Sequence, residues 1–138
     1  MRNSYHELYV HVVWCTKGRT PQISGLVEET IYTVIGEKLP RHKASMLAMG
    51  NTADHVHMLL SISPQTNIAD MMKEIKGSTA YFVNHNTEGT LYWQDGYGVL
   101  SLSRSGLTKV KEYVENQKKH HEENISIIKV LEKSSVAE

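Results

Sequence analysis

Two histidines separated by one residue, His55 and His57, are the side chains in this sequence best suited to bind a metal ion. They open an apolar, partly β-branched run that continues to Ile62, which predicts a buried strand. Alternate residues of a strand face the same way, so the two imidazoles lie about 7 Å apart on one face. At that spacing they can converge on one divalent ion. The alternative is a pair of histidines that is satisfied by hydrogen bonds to neighbouring groups.

A second candidate pair lies on a predicted helix that begins near Gly106. Tyr113 and Gln117 are four residues apart, which places them on one face of that helix. A phenol has a pKa of about 10 and becomes a nucleophile when its proton is lost near a cation or a base. On spacing alone, the pair marks one face of the helix, at the margin of its predicted core stripe.

Composition restricts the class of protein. With 138 residues, 40% hydrophobic and 22% charged, the sequence predicts one globular domain over residues 1–138, with a frayed tail at 133–138. No apolar run approaches the roughly 18–20 residues of a membrane span, and the start lacks the apolar region of a secretory signal. The single cysteine, Cys15, excludes a disulfide framework. We therefore expect a cytoplasmic protein that does not associate with membranes.

The charge pattern bears on nucleic-acid binding. A formal net charge of zero argues against a protein that coats nucleic acid non-specifically. Any DNA-binding surface must then be local, and solvated surface charge is the alternative explanation of each basic group. The candidate DNA contacts are Lys17, Arg19, Arg41, Lys43, Lys73, Lys76, Lys118 and Lys119. The glycine-bracketed aromatic segment 91–98 could stack on unpaired bases or form a packed surface loop.

The elements that position these residues follow from hydrophobic periodicity. Strands are predicted at 5–16, 44–49, from 55 onwards and at 99–103, and helices at 24–39, 68–84 and 106–121. Ser24 and Asn67 are candidate N-caps, and the buried stripe of the second helix should run from Ile68 to Phe82. Asp54 belongs to the turn of a hairpin between the second and third strands, with its side chain directed away from the histidines. The pattern predicts an α+β fold, an antiparallel sheet with helices packed on it.

Several segments in a fixed order resemble a known family. His55-Val56-His57 is similar to the His-hydrophobic-His signature of the HUH nucleases. Further segments look like the small single-domain tyrosine transposases of the insertion-sequence-200 type. The segments that resemble them are His11-Val12-Val13-Trp14-Cys15-Thr16-Lys17, Trp93-Gln94-Asp95-Gly96-Tyr97-Gly98 with Ser101-Leu102-Ser103, and Tyr113-Val114-Glu115-Asn116-Gln117-Lys118-Lys119-His120-His121. The resemblance extends from about residue 5 to residue 121.

This resemblance implies a function and a site. It implies a ferredoxin-like or RRM-like domain that cleaves and rejoins single-stranded DNA at the ends of an insertion sequence, with subterminal hairpins as the DNA partner. Tyr113 would be the nucleophile that forms a 5′-phosphotyrosine, and His55, His57 and Gln117 would hold the metal ion. The family likeness points to Mg²⁺ or Mn²⁺, whereas two imidazoles and one amide favour manganese, cobalt or zinc by ligand softness. No nucleotide cofactor is implied.

The resemblance also leaves alternatives open. It implies a homodimer in which the Tyr113 helix of one subunit completes the other subunit's site, but the sequence equally allows a site within one chain. One rival function is a host-adapted relative or a replication-type nickase that acts on repeat hairpins. Another is a non-catalytic module that binds single-stranded DNA.

Overall fold

A computed structural model describes residues 4–118 and 129–134. The strands are β1 (Leu8–Cys15), β2 (Ser45–Asn51), β3 (His55–Ile62) and β4 (Gly98–Leu102), and the helices are α1 (Gly25–Lys38), α2 (Ile68–Asn86) and α3 (Leu107–Glu115). Short 3₁₀ turns lie at Lys17–Arg19, Leu39–His42, Arg104–Gly106 and Lys129–Glu132. Over the described ranges, no helix is both long and apolar enough to cross a membrane.

The four strands form one antiparallel sheet in the order β2-β3-β1-β4. Each β-α-β unit is split by a strand from the other half of the chain, which is the ferredoxin-like topology. The predicted α+β class and the predicted hairpin between β2 and β3 are therefore confirmed. In the register of the two central strands, Cys15 lies opposite His55 and Val13 lies opposite His57. The histidine pair thus begins a central strand, where neighbours on both sides hold it.

The two faces of the sheet carry different layers. One face packs against α1 and α2 and forms the main apolar core, with contributions from Val12, Trp14, Val56, Met58, Ile31, Ile35, Met72 and Ile75. The other face packs against α3 through Ala48, Leu59, Val110 and Val114. Because side chains alternate along a strand, burial of Val56 and Met58 in the main core directs His55 and His57 toward the α3 face.

Details of the helices differ from the sequence expectations. Asn67 caps α2 as predicted, since its side chain accepts from the Asp70 amide at 3.0 Å, whereas Ser24 precedes α1 without a side-chain capping bond. In α2 the last buried position is Val83, and Phe82 is only partly buried. The sequence analysis placed Phe82 in the buried stripe, but Val83 is the residue of this turn that joins the main core, together with Leu91.

The end of the chain also differs from expectation. The predicted helix 106–121 is interrupted at Asn116, which leaves helical geometry (φ −107°, ψ 27°), so that α3 ends at Glu115. Gln117 and Lys118 are again helical, and residues 119–121 lie outside the described residues. The sequence predicts a frayed tail from residue 133. Ser134, within that tail, is 5% exposed, and its Oγ lies 3.7 Å from the Cys15 Sγ. Residues 135–138 lie outside the described residues.

The aromatic segment 91–98 is mostly a packed loop. Trp93 stacks edge-on against Trp14 at 5.7 Å between ring centroids and donates from Nε1 to the Thr79 Oγ1 at 2.9 Å. Lys76 Nζ donates to the backbone carbonyls of Gln94 and Gly96, at 2.8 and 2.9 Å. Tyr92, with 57% exposure, is the aromatic side chain of this segment that remains available for stacking.

Candidate metal and nucleophile site

The histidine pair lies buried on the α3 face of the sheet. The His55 and His57 rings are 5.1 Å apart between centroids, and both side chains are almost completely enclosed. His57 is fixed from both central strands, because its own strand sets its direction and His11 of β1 lies beside it. This placement agrees with the strand alternation expected from the sequence.

The Nδ1 atom of each histidine has a hydrogen-bond partner on the side away from the site. His55 Nδ1 lies 2.7 Å from Asp54 Oδ1 and 2.8 Å from Thr52 Oγ1, and His57 Nδ1 lies 2.7 Å from His11 Nε2. When Nδ1 donates to these partners, Nε2 of each ring presents a lone pair to the interior of the site. Partners of this kind orient metal-binding histidines and raise their basicity.

The expectation for Asp54 was wrong. Its side chain contacts His55 instead of pointing away, because residue 54 precedes β3 at a bend where strand alternation does not yet apply. Asp54 also faces Arg19, whose guanidinium lies 3.8 Å from Oδ1. Asp54 therefore supports a candidate ligand and joins it to the basic turn that follows β1.

Burial and neighbouring charges shift the pKa values of His11 and His55 in opposite directions. Burial lowers the pKa of His11 to about 3, with a further lowering by His57, so His11 is neutral and can accept a hydrogen bond. Burial would also lower the pKa of His55, but hydrogen bonds to Glu132 and Asp54 outweigh it and raise that pKa. Anionic neighbours thus favour positive charge at the His55 position.

Tyr113 and Gln117 lie beside the histidines, the arrangement that the family resemblance implied. Their side chains are 3% and 1% exposed, which is deeper than the margin of the helix stripe suggested. Gln117 Oε1 lies 3.3 Å from His55 Nε2, and its Nε2 donates to the Tyr113 carbonyl at 3.2 Å. The Tyr113 ring stands edge-on to His57 at 6.1 Å. The tyrosine and the amide therefore meet the His pair within one chain.

Close packing of α3 on β2 holds this geometry. A Cβ built on Gly50 would lie 1.8 Å from the Val114 carbonyl oxygen and 3.4 Å from the Gln117 Cγ. Only a residue without a side chain lets the helix approach this closely. Gly50 therefore sets the distance of Tyr113 and Gln117 from the sheet.

Glu132 is a site residue that the sequence analysis missed. Its Oε1 lies 3.0 Å from His55 Nε2 and 3.2 Å from His57 Nε2, and its Oε2 accepts a hydrogen bond from the Tyr113 hydroxyl. Burial would raise the pKa of Glu132, but the hydrogen bonds from His55, His57 and Tyr113 lower it well below the usual range. No local pattern marks this residue, because the contact joins positions 75 residues apart.

The donor set fits a divalent cation. One ligand atom each from His55, His57 and Glu132 lies within 4.8 Å of the others, and Gln117 Oε1 is adjacent. Two imidazoles, a carboxylate and an amide oxygen are donors that Mn²⁺, Zn²⁺ and related ions accept, and the oxygen donors extend the range toward Mg²⁺. These residues therefore form the candidate metal centre of the described part of the chain.

The predicted DNA-contact residues are spread over the molecule. Lys17 and Arg19 occupy the exposed turn next to Asp54, and Lys118 follows Gln117, where it pairs with Glu28 at 2.7 Å. Arg41 pairs with Glu74 and Lys43 contacts Gln65, both at the opposite end of β2. Lys73 and Lys76 lie on α2, across the sheet from the histidines, and burial lowers the pKa of Lys76. Lys119 lies outside the described residues.

An open cleft of about 630 Å³ adjoins the site on its Gln117 side. Its walls come from α1, the end of β2 and the end of α3, and include Tyr32, Asn51, Gln117 and Lys118. Asn51, at the end of β2, connects that strand to α1. Its side chain accepts a hydrogen bond from the Tyr32 hydroxyl at 2.8 Å and donates one to the Glu28 carboxylate at 2.9 Å. Gln117 is the residue of the candidate site that lines this cleft.

Fold and site together define the class of protein. A ferredoxin-like sheet that carries a His-x-His pair on a central strand, opposite a tyrosine on a covering helix, is the arrangement of an HUH protein. The profile of the family described as IS200-like transposases matches residues 4–117. The chain belongs to this family of HUH tyrosine transposases, which are DNA-cleaving enzymes.

Individual relatives agree with this assignment. The chain is similar to the ISDra2 transposase TnpA of Deinococcus radiodurans, with 28% identity over 84% of this chain and 88% of the relative. It is also similar to the transposase for insertion sequence element IS200 of Salmonella typhimurium, with 24% identity over 78% of this chain and 74% of the relative.

Two solved structures share the fold. A crystal structure assigned as a transposase from Deinococcus radiodurans superimposes with a TM-score of 0.65 and 26% identity, over 85% of this chain and 95% of that chain. A REP-associated tyrosine transposase bound to a REP hairpin superimposes with a TM-score of 0.70, over 88% of this chain and 73% of that one. At 12% identity, the second likeness concerns the fold alone.

Proposed function

We propose that this transposase cleaves and rejoins single-stranded DNA at the ends of an insertion sequence through a covalent bond to Tyr113. The observation that carries the proposal is the contact of one helix-borne tyrosine with a buried metal-binding cluster. Six other tyrosines occur in the sequence, and Tyr113 is the one beside His57 in the part of the chain that the structure describes. The similarity to the ISDra2 and IS200 transposases supports the choice of an insertion sequence over other mobile or chromosomal substrates.

The reaction is a transfer of a phosphodiester. The Tyr113 oxygen attacks the scissile phosphorus as its proton leaves, a new O–P bond forms, and the bond to the 3′ oxygen breaks. The 3′ oxygen takes up a proton and departs as a free hydroxyl, while the 5′ phosphate remains on Tyr113. A different 3′ hydroxyl can later attack this ester and release Tyr113, so strands are rejoined without ATP.

The metal ion is proposed to be Mg²⁺ or Mn²⁺, held by His55, His57 and Gln117. When bound, it acts as a Lewis acid that neutralises charge developing on the phosphate oxygens. Asp54 and His11 hold the imidazole rings in orientation, and the packing of α3 at Gly50 fixes the tyrosine relative to them. Such positioning can lower a barrier by several kcal/mol, roughly 7–11 in the most favourable cases.

The proposed partner is single-stranded DNA that carries a subterminal hairpin. A solved protein of the same fold is bound to a REP hairpin, which supports extending hairpin binding to this chain as a proposal. Lys17 and Arg19 are the predicted DNA contacts best placed to meet phosphates near the site, because their turn adjoins Asp54 and through it His55. The cleft beside Gln117 offers a route for the unpaired strand, and its acidic wall residues suit a base better than a phosphate.

The proposal is tested by trapping the covalent product. Wild-type protein, incubated with hairpin-bearing single-stranded DNA and Mn²⁺ or Mg²⁺, should give a protein–DNA band that survives denaturation. Chelation of the metal should abolish the band, and His57→Ala should do the same while retaining hairpin binding. His85→Ala, a change at an exposed histidine on α2, serves as the matched control.

Three outcomes would contradict this function. A band of equal intensity with chelator, or from His57→Ala, would show that the His pair does not serve the chemistry. Hairpin binding without any covalent product under all metal conditions would favour a non-catalytic DNA-binding module. Cleavage of repeat hairpins but not of insertion-sequence ends would favour the host-adapted nickase.

A further inference from the structure

The carboxylate of Glu132 bridges two groups that the proposed reaction must hold together. One oxygen faces both histidine Nε2 atoms, and the other accepts the hydrogen bond of the Tyr113 hydroxyl. The side chain is 15% exposed, so this carboxylate is withdrawn from most of the solvent. A buried anion requires compensating partners, and His55, His57 and Tyr113 of the candidate site are among the partners of this one.

The segment that carries Glu132 is fitted to the sheet. Leu131 is buried against the α3-side core, and Ser134 is buried beside Cys15. A Cβ on Gly98 would lie 1.8 Å from the Lys133 carbonyl oxygen, so β4 lacks a side chain where this segment crosses it. Contacts on both sides of Glu132 therefore fix the direction of its carboxylate toward the candidate site.

The net charge of the candidate metal ligands indicates a chemical role for the Glu132 carboxylate. His55, His57 and Gln117 are neutral ligands, and a neutral set binds a hard dication such as Mg²⁺ weakly. A carboxylate adds a hard anionic oxygen at the same place. The Nδ1 atoms of His55 and His57 meet Asp54 and His11, and one ligand atom each of His55, His57 and Glu132 lies within 4.8 Å of the others.

We infer that Glu132 is a further metal ligand, binding through Oε1 while Oε2 holds the Tyr113 hydroxyl in position. This inference rests on the proposed function for the role of Tyr113, but the metal-binding part stands independently of it. It implies that the protein binds its ion before DNA arrives, because the protein supplies the anionic ligand itself. It also implies that Glu132, although remote in sequence, sets the distance between ion and nucleophile.

The test is a titration of the full chain with Mn²⁺ in the absence of DNA, followed by electron paramagnetic resonance of the free ion. Glu132→Gln keeps the shape of the side chain and removes its charge, and it should weaken Mn²⁺ binding by at least about tenfold, as loss of a supporting group alone can do. Glu112→Gln, at an exposed carboxylate on α3, should bind Mn²⁺ as wild type does. Thermal unfolding of each variant verifies that the fold is retained.

The competing assignment is that Glu132 merely occupies the place of the scissile phosphate. In that case Glu132→Gln would bind Mn²⁺ as tightly as wild type and form the covalent adduct equally fast or faster, which would overturn the inference. Tight Mn²⁺ binding that depends on Glu132, without any adduct to DNA, would instead leave the ligand assignment standing and remove the proposed function.

Discussion

At the scale of single residues, the candidate ligands depend on neighbours that fix their rings. His57 faces the site with Nε2 because its Nδ1 meets His11 Nε2 at 2.7 Å. His55 is held in the same way by Asp54 and Thr52. The Tyr113 hydroxyl is held by Glu132. Each reactive group is thus positioned by a residue that the spacing of the motif does not reveal.

His11→Leu should therefore weaken metal binding without contacting the ion. The substitution removes the acceptor for His57 Nδ1, which leaves a buried donor unpaired at a cost of about 1–3 kcal/mol and frees the ring to change tautomer. Mn²⁺ affinity should fall by about 10–100-fold. The measurement is a Mn²⁺ titration of both His11→Leu and His11→Gln, since glutamine offers an acceptor oxygen and should recover part of the affinity. Equal affinities of the two variants would refute a positioning role.

The sequence predicted part of the site because some of its geometry is local. His55 and His57 share a face of one strand, so periodicity brings them together, and Gln117 follows Tyr113 by only four residues, so it stays close despite the break in the helix at Asn116. His11 enters through the register between β1 and β3, and Glu132 through a contact 75 residues away from His57. Asp54 was misjudged because strand alternation was extended one residue before the strand begins. Contacts made by tertiary structure leave no such periodic signal.

At the scale of elements, the site depends on how α3 rests on the sheet. The strands, the hairpin and the antiparallel pairing followed from apolar patterning and turn residues, as expected for a sheet that is covered by helices. The end of α3 did not follow, because Glu115 to Lys118 continue a helical pattern while Asn116 adopts non-helical angles. The sequence also did not predict the close approach of α3 to Gly50, because a glycine before a turn can be required for the turn itself as well as for helix packing.

Gly50→Ala should displace α3 and impair catalysis more than binding. The added methyl would lie 1.8 Å from a backbone carbonyl oxygen of the helix, so the helix must shift. Such overpacking typically costs about 1–3 kcal/mol of folding free energy. Adduct formation should fall well below wild type while hairpin binding persists. Chemical denaturation and the adduct assay measure the two effects.

Gly77→Ala is the matched control for this substitution. Gly77 lies in α2, and a Cβ there meets nothing within 4 Å. Alanine has the higher helix propensity, so this variant should be up to about 1 kcal/mol more stable than wild type and fully active. If Gly50→Ala behaved like Gly77→Ala, the packing of α3 on β2 would not control the site.

At the scale of the whole molecule, the arrangement of one chain bears on the expected homodimer. A homodimer of about twice the 15.6 kDa chain mass stays a prediction, to be checked by light scattering at micromolar concentration. Within one chain, Tyr113 already meets His57 and Glu132. This arrangement differs from the exchanged helix that the family resemblance implied. A site completed by the tyrosine of the same chain and a site completed by the tyrosine of the partner chain predict opposite levels of adduct formation when variant subunits are mixed.

Mixing His57→Ala with Tyr113→Phe subunits distinguishes the two arrangements. If each tyrosine serves its own chain, every site in the mixed dimer lacks either a ligand or the nucleophile, and no adduct should form. If the helix is exchanged, one composite site is intact and adduct formation recovers. We expect no recovery from the contacts within one chain. The double variant mixed with wild type is the control, because own-chain sites then remain active in the wild-type subunit.

The most direct measurement of the central claim is peptide mapping of the covalent DNA adduct. The account predicts that DNA is attached to Tyr113 and to none of the six other tyrosines. Tyr113→Phe removes only the hydroxyl, so this variant should fold and bind the hairpin with no adduct at all. DNA attached to any other residue, or an adduct that persists in Tyr113→Phe, would contradict the account.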